Sequence, residues 1–418
     1  MNNLAFVKSR TGKPLMPCSR AKARHLLQAG KAKVIRRMPF TIKLLVDCSE
    51  QTQEVVAGMD VGSKVIGVCA VVKNGSEIKE LFKEEVILRG DEIKRKMEQR
   101  KSFRVTRRAR KTRYREVRFL NRANSKREGR LPPSVKHKVD CHIREKKIVE
   151  SLLPITKWNV EIAQFDTAKI SNPNVIDYQN GPKKDFYNTK EFILYRDNHT
   201  CQICKCKNKK LQVHHIIERS KGGTNEPKNL TTLCVECHEK VHNGEIENFK
   251  VKKSKTKSAT QANIISSQIS KYFGEFESTF GYETKYKREL MGLPKTHCND
   301  ALAICLTDEE ALSNNIQLLK YYYVKRVNSK GDYKQTRGNH SETKLPTRKL
   351  FNLRKFDKVK TSVGIGFVKA KRVTGYFSIC DVYGNTIKDP VNIKKDCVRI
   401  SARKNYMLDV VKIKEIYG

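Results

Sequence analysis

Between Cys201 and His242 the chain carries two Cys-x-x-Cys pairs, Cys201 with Cys204 and Cys234 with Cys237. They surround a His214-His215 dipeptide, Asn229 and a closing His238-x-x-x-His242. Two such thiolate knuckles are the ligand set of a tetrahedral zinc ion, and a zinc closed by four sulfurs is structural. Cys206 stands beside the first knuckle, so an exchange of ligand with Cys204 stays open. Residues 213–217 read as a strand. Side chains alternate along a strand, so His214 and His215 point to opposite faces and only one can address a given metal. His238 and His242 lie one helical turn apart, and a helix starting near Cys237 turns both toward that strand. A ββα unit carrying its metal in this way has the layout that a one-metal nuclease needs. A plain zinc ribbon has no use for His-His, Asn and His-x-x-x-His together.

A second set of candidates is dispersed. Residues 54–72, EVVAGMDVGSKVIGVCAVV, are two apolar β-rich runs joined at Asp60. An aspartate at the end of a buried strand, with glycines nearby to permit a sharp turn, is expensive unless it holds a metal. Taken alone, Asp60 is also explained as a hairpin-turn residue. Trp158 to Phe165 reads as another strand, with Glu161 inside an apolar run, and His297-Cys298-Asn299-Asp300 opens the helical run ALAICL. Asp300 by itself is equally a helix cap.

These residues need scaffolds, and composition says what kind. The 418 residues suffice for about two to four domains with real cores. Lys and Arg number 86 against 44 acidic residues, a net charge of +42, which calls for a polyanion, nucleic acid above all. No apolar run approaches the roughly 20 residues that span a bilayer, and Met1 opens no secretory signal. Four of the 13 cysteines serve the knuckles and an odd nine are scattered, which fits a reducing cytosol better than a disulfide framework.

Along the chain, two prolines hold residues 13–18 extended. Ser19 then caps a helix that ends at Gly30, with Ala23, Leu26 and Leu27 inward, and a strand at 42–46 closes a small basic α/β unit. Residues 94–122 hold fourteen Lys or Arg against two Glu and no Gly or Pro. They read as a long cationic rod in which Arg104, Arg107, Arg108, Arg110, Lys111, Arg113, Arg115 and Arg118 are placed to fork onto phosphates. Residues 127–136 read as a turn, 184–248 as the zinc domain and 261–290 as helix. From Tyr321 the pattern changes to Gly-punctuated β segments, a small antiparallel barrel or curled sheet. Tyr321, Tyr322, Tyr323 and Tyr333 are there either to stack on bases or for ordinary packing.

The 201–242 pattern resembles the HNH nuclease family. That resemblance implies that His214, His238 and His242 hold a divalent cation, that His215 deprotonates the attacking water and that Asn229 braces the loop orienting His215. Asp60, Glu161, His297 and Asp300 resemble, in type and order, the two-metal site of the RuvC branch of RNase H-like nucleases. With the Pro14-Leu15-Met16-Pro17 segment, the arginine rod and the basic β-rich end, the whole chain resembles IscB, a transposon-associated relative of the CRISPR effector nucleases. The implied fold is α/β multidomain: a split RNase H-like (RuvC) core, an inserted ββα-metal HNH zinc domain, an Arg-rich bridge helix and a small β-rich C-terminal module. The implied boundaries are a basic N-terminal domain (1–52), RuvC stretches (53–90, 127–183, 251–320), the bridge helix (91–126), the HNH domain (184–250) and a target-interaction domain (321–418). The implied activity is RNA-guided cleavage of double-stranded DNA, one strand at each site. It would use Mg²⁺ at both sites and structural Zn²⁺ at the knuckles, in a monomeric ribonucleoprotein with an omega guide RNA. Such a particle is cytoplasmic, on the prokaryotic nucleoid when DNA-bound, and has no membrane partner. A guide-free HNH and RuvC nuclease, or an RNA-binding zinc protein without cleavage, are the alternatives.

Overall fold

A computed structural model describes residues 4–75, 77–109, 130–166, 186, 188–218, 223, 225–247, 256–313, 315–329 and 348–413. The chain divides into two compact units, Met1–Gln164 with Gln261–Gly418, and Phe165–Thr260. Both mix helix and strand.

In the first unit a four-stranded sheet, ordered Pro14–Ser19, Leu4–Lys8, Phe40–Leu44, Ala32–Arg37, carries the helix Arg20–Gln28. Ser19 caps that helix by accepting from the Lys22 N–H at 3.2 Å. Ala23 is buried, whereas Leu26 and Leu27 are only partly so. The last strand runs two residues earlier than its apolar letters indicate, because Leu45 and Val46 are exposed.

The central sheet positions the dispersed candidates. Its order is Glu277–Thr279, Lys157–Glu161, Val55–Asp60, Val65–Asn74, Glu77–Ile87, Tyr321–Val327, Tyr406–Lys412, with Ile316–Gln317 also paired to Glu77–Ile87. Val55–Asp60 is buried at every position because both faces are covered, hence its continuous apolar run. Val55, Ala57 and Met59 pack toward the helices Pro133–Glu150 and Thr256–Tyr272, and each large side chain so buried contributes about 1.5–3 kcal/mol. The alternate residues Val56, Gly58 and Asp60 face the helix His297–Cys305. Gly58 makes that close approach possible, since a Cβ there would stand 2.7 Å from the Cys305 sulfur and nearer still to the Ala301 carbonyl.

Several expectations are corrected. Residues 261–290 are not one helix. Thr256–Tyr272 and Gly281–Leu290 are separated by the strand Glu277–Thr279, which pairs with Lys157–Glu161, and Gly274 (φ 91°) makes the exit turn. The 127–136 turn ends earlier than expected, because Pro133 opens a helix at a position where its missing N–H costs nothing. The strand expected over 158–165 is Lys157–Glu161. The segment from Tyr321 is not wholly a separate β module, since Tyr321–Val327 and Tyr406–Lys412 extend the central sheet. The basic letters of Tyr321–Val327 disguise a core strand: Lys325 is buried against Glu84 at 3.0 Å and Glu145 at 2.5 Å, and Tyr323 stacks on Phe82 in the core. What remains is a five-stranded antiparallel sheet, ordered Thr386–Asn392, Tyr376–Cys380, Gly364–Ala370, Lys358–Thr361, Val398–Ser401, with a core of its own. Tyr333 lies outside the described residues.

The arginine-rich helix is described over Gly90–Ala109, starting at Gly90 with Asp91 and Glu92 in its first turn, where acids suit the helix dipole. Arg104 and Arg107 are exposed on it. Arg110, Lys111, Arg113, Arg115 and Arg118, with the side chain of Arg108, lie outside the described residues.

The second unit holds the helix Thr189–Arg196, the antiparallel strands Leu211–His215 and Leu230–Cys234, and the helix Val235–Asn243, which Gly244 ends at φ 79°. Its main cluster of buried apolar side chains is Cys201, Leu233, Cys234, Cys237 and Val241. Three of those five are cysteines, so the core is thin without a metal to tie it.

Candidate active sites and metal centres

In the second unit the sulfurs of Cys201, Cys204, Cys234 and Cys237 all lie within 4.8 Å of one another. Cys201 and Cys204 lie in the connection between the helix Thr189–Arg196 and the strand Leu211–His215, and Cys234 is the last residue of a strand whose following helix carries Cys237. Two local turns are thereby aimed at one point. The Cys206 backbone N–H bonds to Cys204 and brings that thiol down to about 6, toward the thiolate a metal requires. Cys206 itself reaches Cys204, sulfur to sulfur, at 3.2 Å. The donor set fits zinc.

Further along the helix that carries Cys237, the ring nitrogens of His238 and His242 lie within 4.8 Å of one another and of those of His214 on the hairpin. His214 is buried and His242 exposed, and the ring centroids are 4.6–5.1 Å apart. The helix holding His238 and His242 begins at Val235, two residues before the expected start. Burial, with His242 beside it, lowers the pKa of His238 and favours the neutral ring that can ligate. His215 points the opposite way. Its Nε2 lies 3.0 Å from the Asn225 side-chain oxygen, an acceptor to which that ring nitrogen donates. Asn229 is buried and grips the backbone of one residue on both sides, accepting from the Ile217 N–H at 2.8 Å and donating to the Ile217 carbonyl at 3.0 Å. That grip ties down the chain two residues beyond His215. The spacing argument did not find Asn225; an asparagine in a Gly- and Asn-containing loop carries no distinguishing signal.

The metal question has a direct check. Cys234→Ser should unfold the thin core of this unit, since structural zinc in finger peptides carries about 10–16 kcal/mol of folding energy. His238→Ala, at a half-exposed residue, should shift melting by no more than a few degrees. Circular dichroism melts with zinc content by atomic absorption decide it: equal losses in the two variants would put the histidines in the structural site.

The first unit brings the dispersed set together. Asp60 ends its strand, Glu161 ends the neighbouring parallel strand, and Asp300 lies in the first turn of the helix laid over both. His297 Nδ1 donates to Asp60 at 2.5 Å. Burial raises the pKa of Asp60 while His297 opposes it, and the bond to Asp60 in turn raises that of His297. Glu161 is pushed up to about 7, first by burial and then by Asp60, with Asp300 adding to it. Three acids that crowd one another in a buried place form a site that favours added positive charge.

Two further residues belong here that sequence reasoning missed, both on the helix Gly281–Leu290 read as part of a longer one. Thr284 bonds to Glu161 and opposes its upward shift. Arg288, one turn on and buried, donates to Asp300 at 2.5 Å. Together they hold two of the three carboxylates from one helix face. Gly281 backs Glu161, whose oxygen would be 3.3 Å from a Cβ there.

Comparison with known proteins adds two family matches. Residues 5–181 match the family described as RRXRR protein, and residues 201–244 match the HNH endonuclease family. Anaredoxin from Nostoc sp. (strain PCC 7120 / SAG 25.82 / UTEX 2576) is 39% identical over 51 residues, which is 12% of this chain and 67% of that protein.

Proposed function

Because the chain belongs to the IscB type, a nuclease with an RRXRR span and an HNH endonuclease domain, we propose that it is an RNA-guided DNA endonuclease that cuts the two strands at two separate sites. The observation that carries the second site is the meeting of Asp60, Glu161, His297 and Asp300 on one face of the central sheet, from positions up to 240 residues apart. In this reading the sheet is a split RuvC core, built from 53–90, 127–183 and 251–320, with the strands Tyr321–Val327 and Tyr406–Lys412 added to it. The remaining C-terminal sheet is the target-interaction part, 1–52 the N-terminal domain and 91–126 the bridge helix.

At the HNH site His215 takes the proton from water, held by Asn225 while Asn229 fixes the loop behind it. His214, His238 and His242 would hold one divalent cation, and Asp60, Glu161 and Asp300 would hold two at the other site, with His297 steadying Asp60. When bound, Mg²⁺ supplies neutralisation of charge growing on the phosphate and a more acidic water. Arg288 and Thr284 keep Asp300 and Glu161 aimed while the site turns over.

Guidance is supported by the net charge of +42 and by the cationic helix, because an RNA–DNA heteroduplex is gripped through its backbone while pairing reads the sequence. The test is protein expressed with its own locus, assayed before and after RNase treatment. We expect a discrete structured RNA to copurify and specific cutting of duplex DNA to disappear with it. Robust, specific cutting without RNA would leave a guide-free nuclease.

A further inference from the structure

We propose that the C-terminal sheet contains a pocket for a single unstacked nucleotide, beside the turn Phe351-Asn352. The cavity measures about 390 Å³ and opens to solvent, room for one base with its sugar and phosphate. Its floor is apolar, Leu353 and Ile393, and its rim carries three cations, Lys349, Lys394 and Arg399. Among the described residues no carboxylate lines it. Arg399 is fixed in place by its bond to the Asn352 carbonyl at 3.2 Å and by the buried Asp357 carboxylate 3.8 Å from the same nitrogen, and the Lys394 ammonium stands 5.4 Å from the centre of the Phe351 ring.

The turn itself is unusual. Leu350 and Leu353 bond to each other in both directions across a two-residue loop, and Phe351 and Asn352 both take left-handed backbone, φ 49° and 60°. Turns of this kind ordinarily use Asn-Gly. A phenylalanine in the left-handed region is strained, and residual strain of this sort collects where a side chain is presented for use. Here it presents a ring, 39% of the residue exposed, at the mouth of a basic cavity. An aromatic face for the base with cations for the phosphate is the combination that recognises single-stranded nucleic acid.

This inference deepens the reading of the chain as a nucleic-acid enzyme and names a place for one nucleotide on it. The half-buried Cys397 lines the pocket and supplies a local reporter. In the full chain, alkylation of Cys397 by N-ethylmaleimide is followed by mass spectrometry, alone and with single-stranded DNA, single-stranded RNA, duplex DNA or a free mononucleotide. A single strand should slow alkylation about tenfold, more than duplex does, and Phe351→Ala or Arg399→Ala should each remove that protection. Phe351→Tyr should keep it. Protection by DNA or by RNA alone identifies the strand served, and protection by the mononucleotide at comparable concentration identifies a free ligand of the same chemistry. Unchanged reactivity with every probe, or protection that survives in Phe351→Ala and Arg399→Ala, overturns the pocket. Cleavage is scored separately, so RNA-dependent cutting without protection sinks the pocket alone, and protection without RNA-dependent cutting sinks guidance alone.

Discussion

His215→Ala is expected to reduce cleavage of the guide-paired strand by about a hundred- to ten-thousand-fold, the usual worth of a general base, while the other strand is still nicked. His215 is half-exposed on the strand face opposite the His214, His238 and His242 cluster. Its loss therefore leaves the three-histidine set, the four thiols and the small core as they are, and zinc content and melting should stay at wild-type values. His215 held through Nε2 by Asn225 implies a companion result. Asn225→Ala should lower the same strand's rate less than His215→Ala does, because the base is then present but less well oriented. A strand-labelled duplex assay reads both. Near wild-type cutting of both strands by His215→Ala would remove it from the mechanism.

Asp60→Ala, Glu161→Ala and Asp300→Ala are each expected to stop cutting of the displaced strand by about a thousandfold or more, several kcal/mol of transition-state stabilisation, leaving the guide-paired strand cleaved. For Asp60 and Glu161 the stability readout should move the other way. Burial raises the pKa of Asp60, and burial followed by the Asp60 charge raises that of Glu161, so each of these two acids costs the fold something by its charge. Asp60→Asn, which keeps shape and removes charge, should melt at or above the wild-type temperature while losing that strand's cleavage. Arg288 marks the contrast. It is the buried cation paired with Asp300, and Arg288→Ala leaves a partly buried carboxylate without its cation, a change in the destabilising direction that reaches about 3–5 kcal/mol only for fully buried pairs. If Asp60→Asn nicked the displaced strand as well as wild type, the carboxylate group would have no part in cleavage.

The two sites were legible in the sequence to different depths, and the difference is one of range. The zinc knuckles and the histidine pair on Val235–Asn243 are set by local geometry: two residues between thiols, one helical turn between imidazoles, opposite faces for His214 and His215. Spacing alone places such groups, because the backbone between them has few ways to run. The four carboxylate-site residues were visible as types in an order, but their meeting was not, since it depends on a parallel pairing of Val55–Asp60 with Lys157–Glu161 and on Gly58 admitting a helix from beyond residue 296. Thr284 and Arg288 had no local signature at all: a threonine and an arginine in a charged helix look like solvated surface until the helix His297–Cys305 and the end of the strand Lys157–Glu161 come up against them.

The same limit explains Tyr321–Val327. Its lysine, arginine and tyrosines looked like a nucleic-acid surface, yet the strand is in the core because Glu84 and Glu145, 241 and 180 residues away in sequence, neutralise Lys325. A buried charge is tolerable only with its partner in place. Composition and spacing along the chain therefore marked the candidate ligands, the cationic helix and nucleic acid as the fitting counterpart of its charge, whereas burial of charge, decided by residues hundreds of positions apart, was left to the tertiary structure.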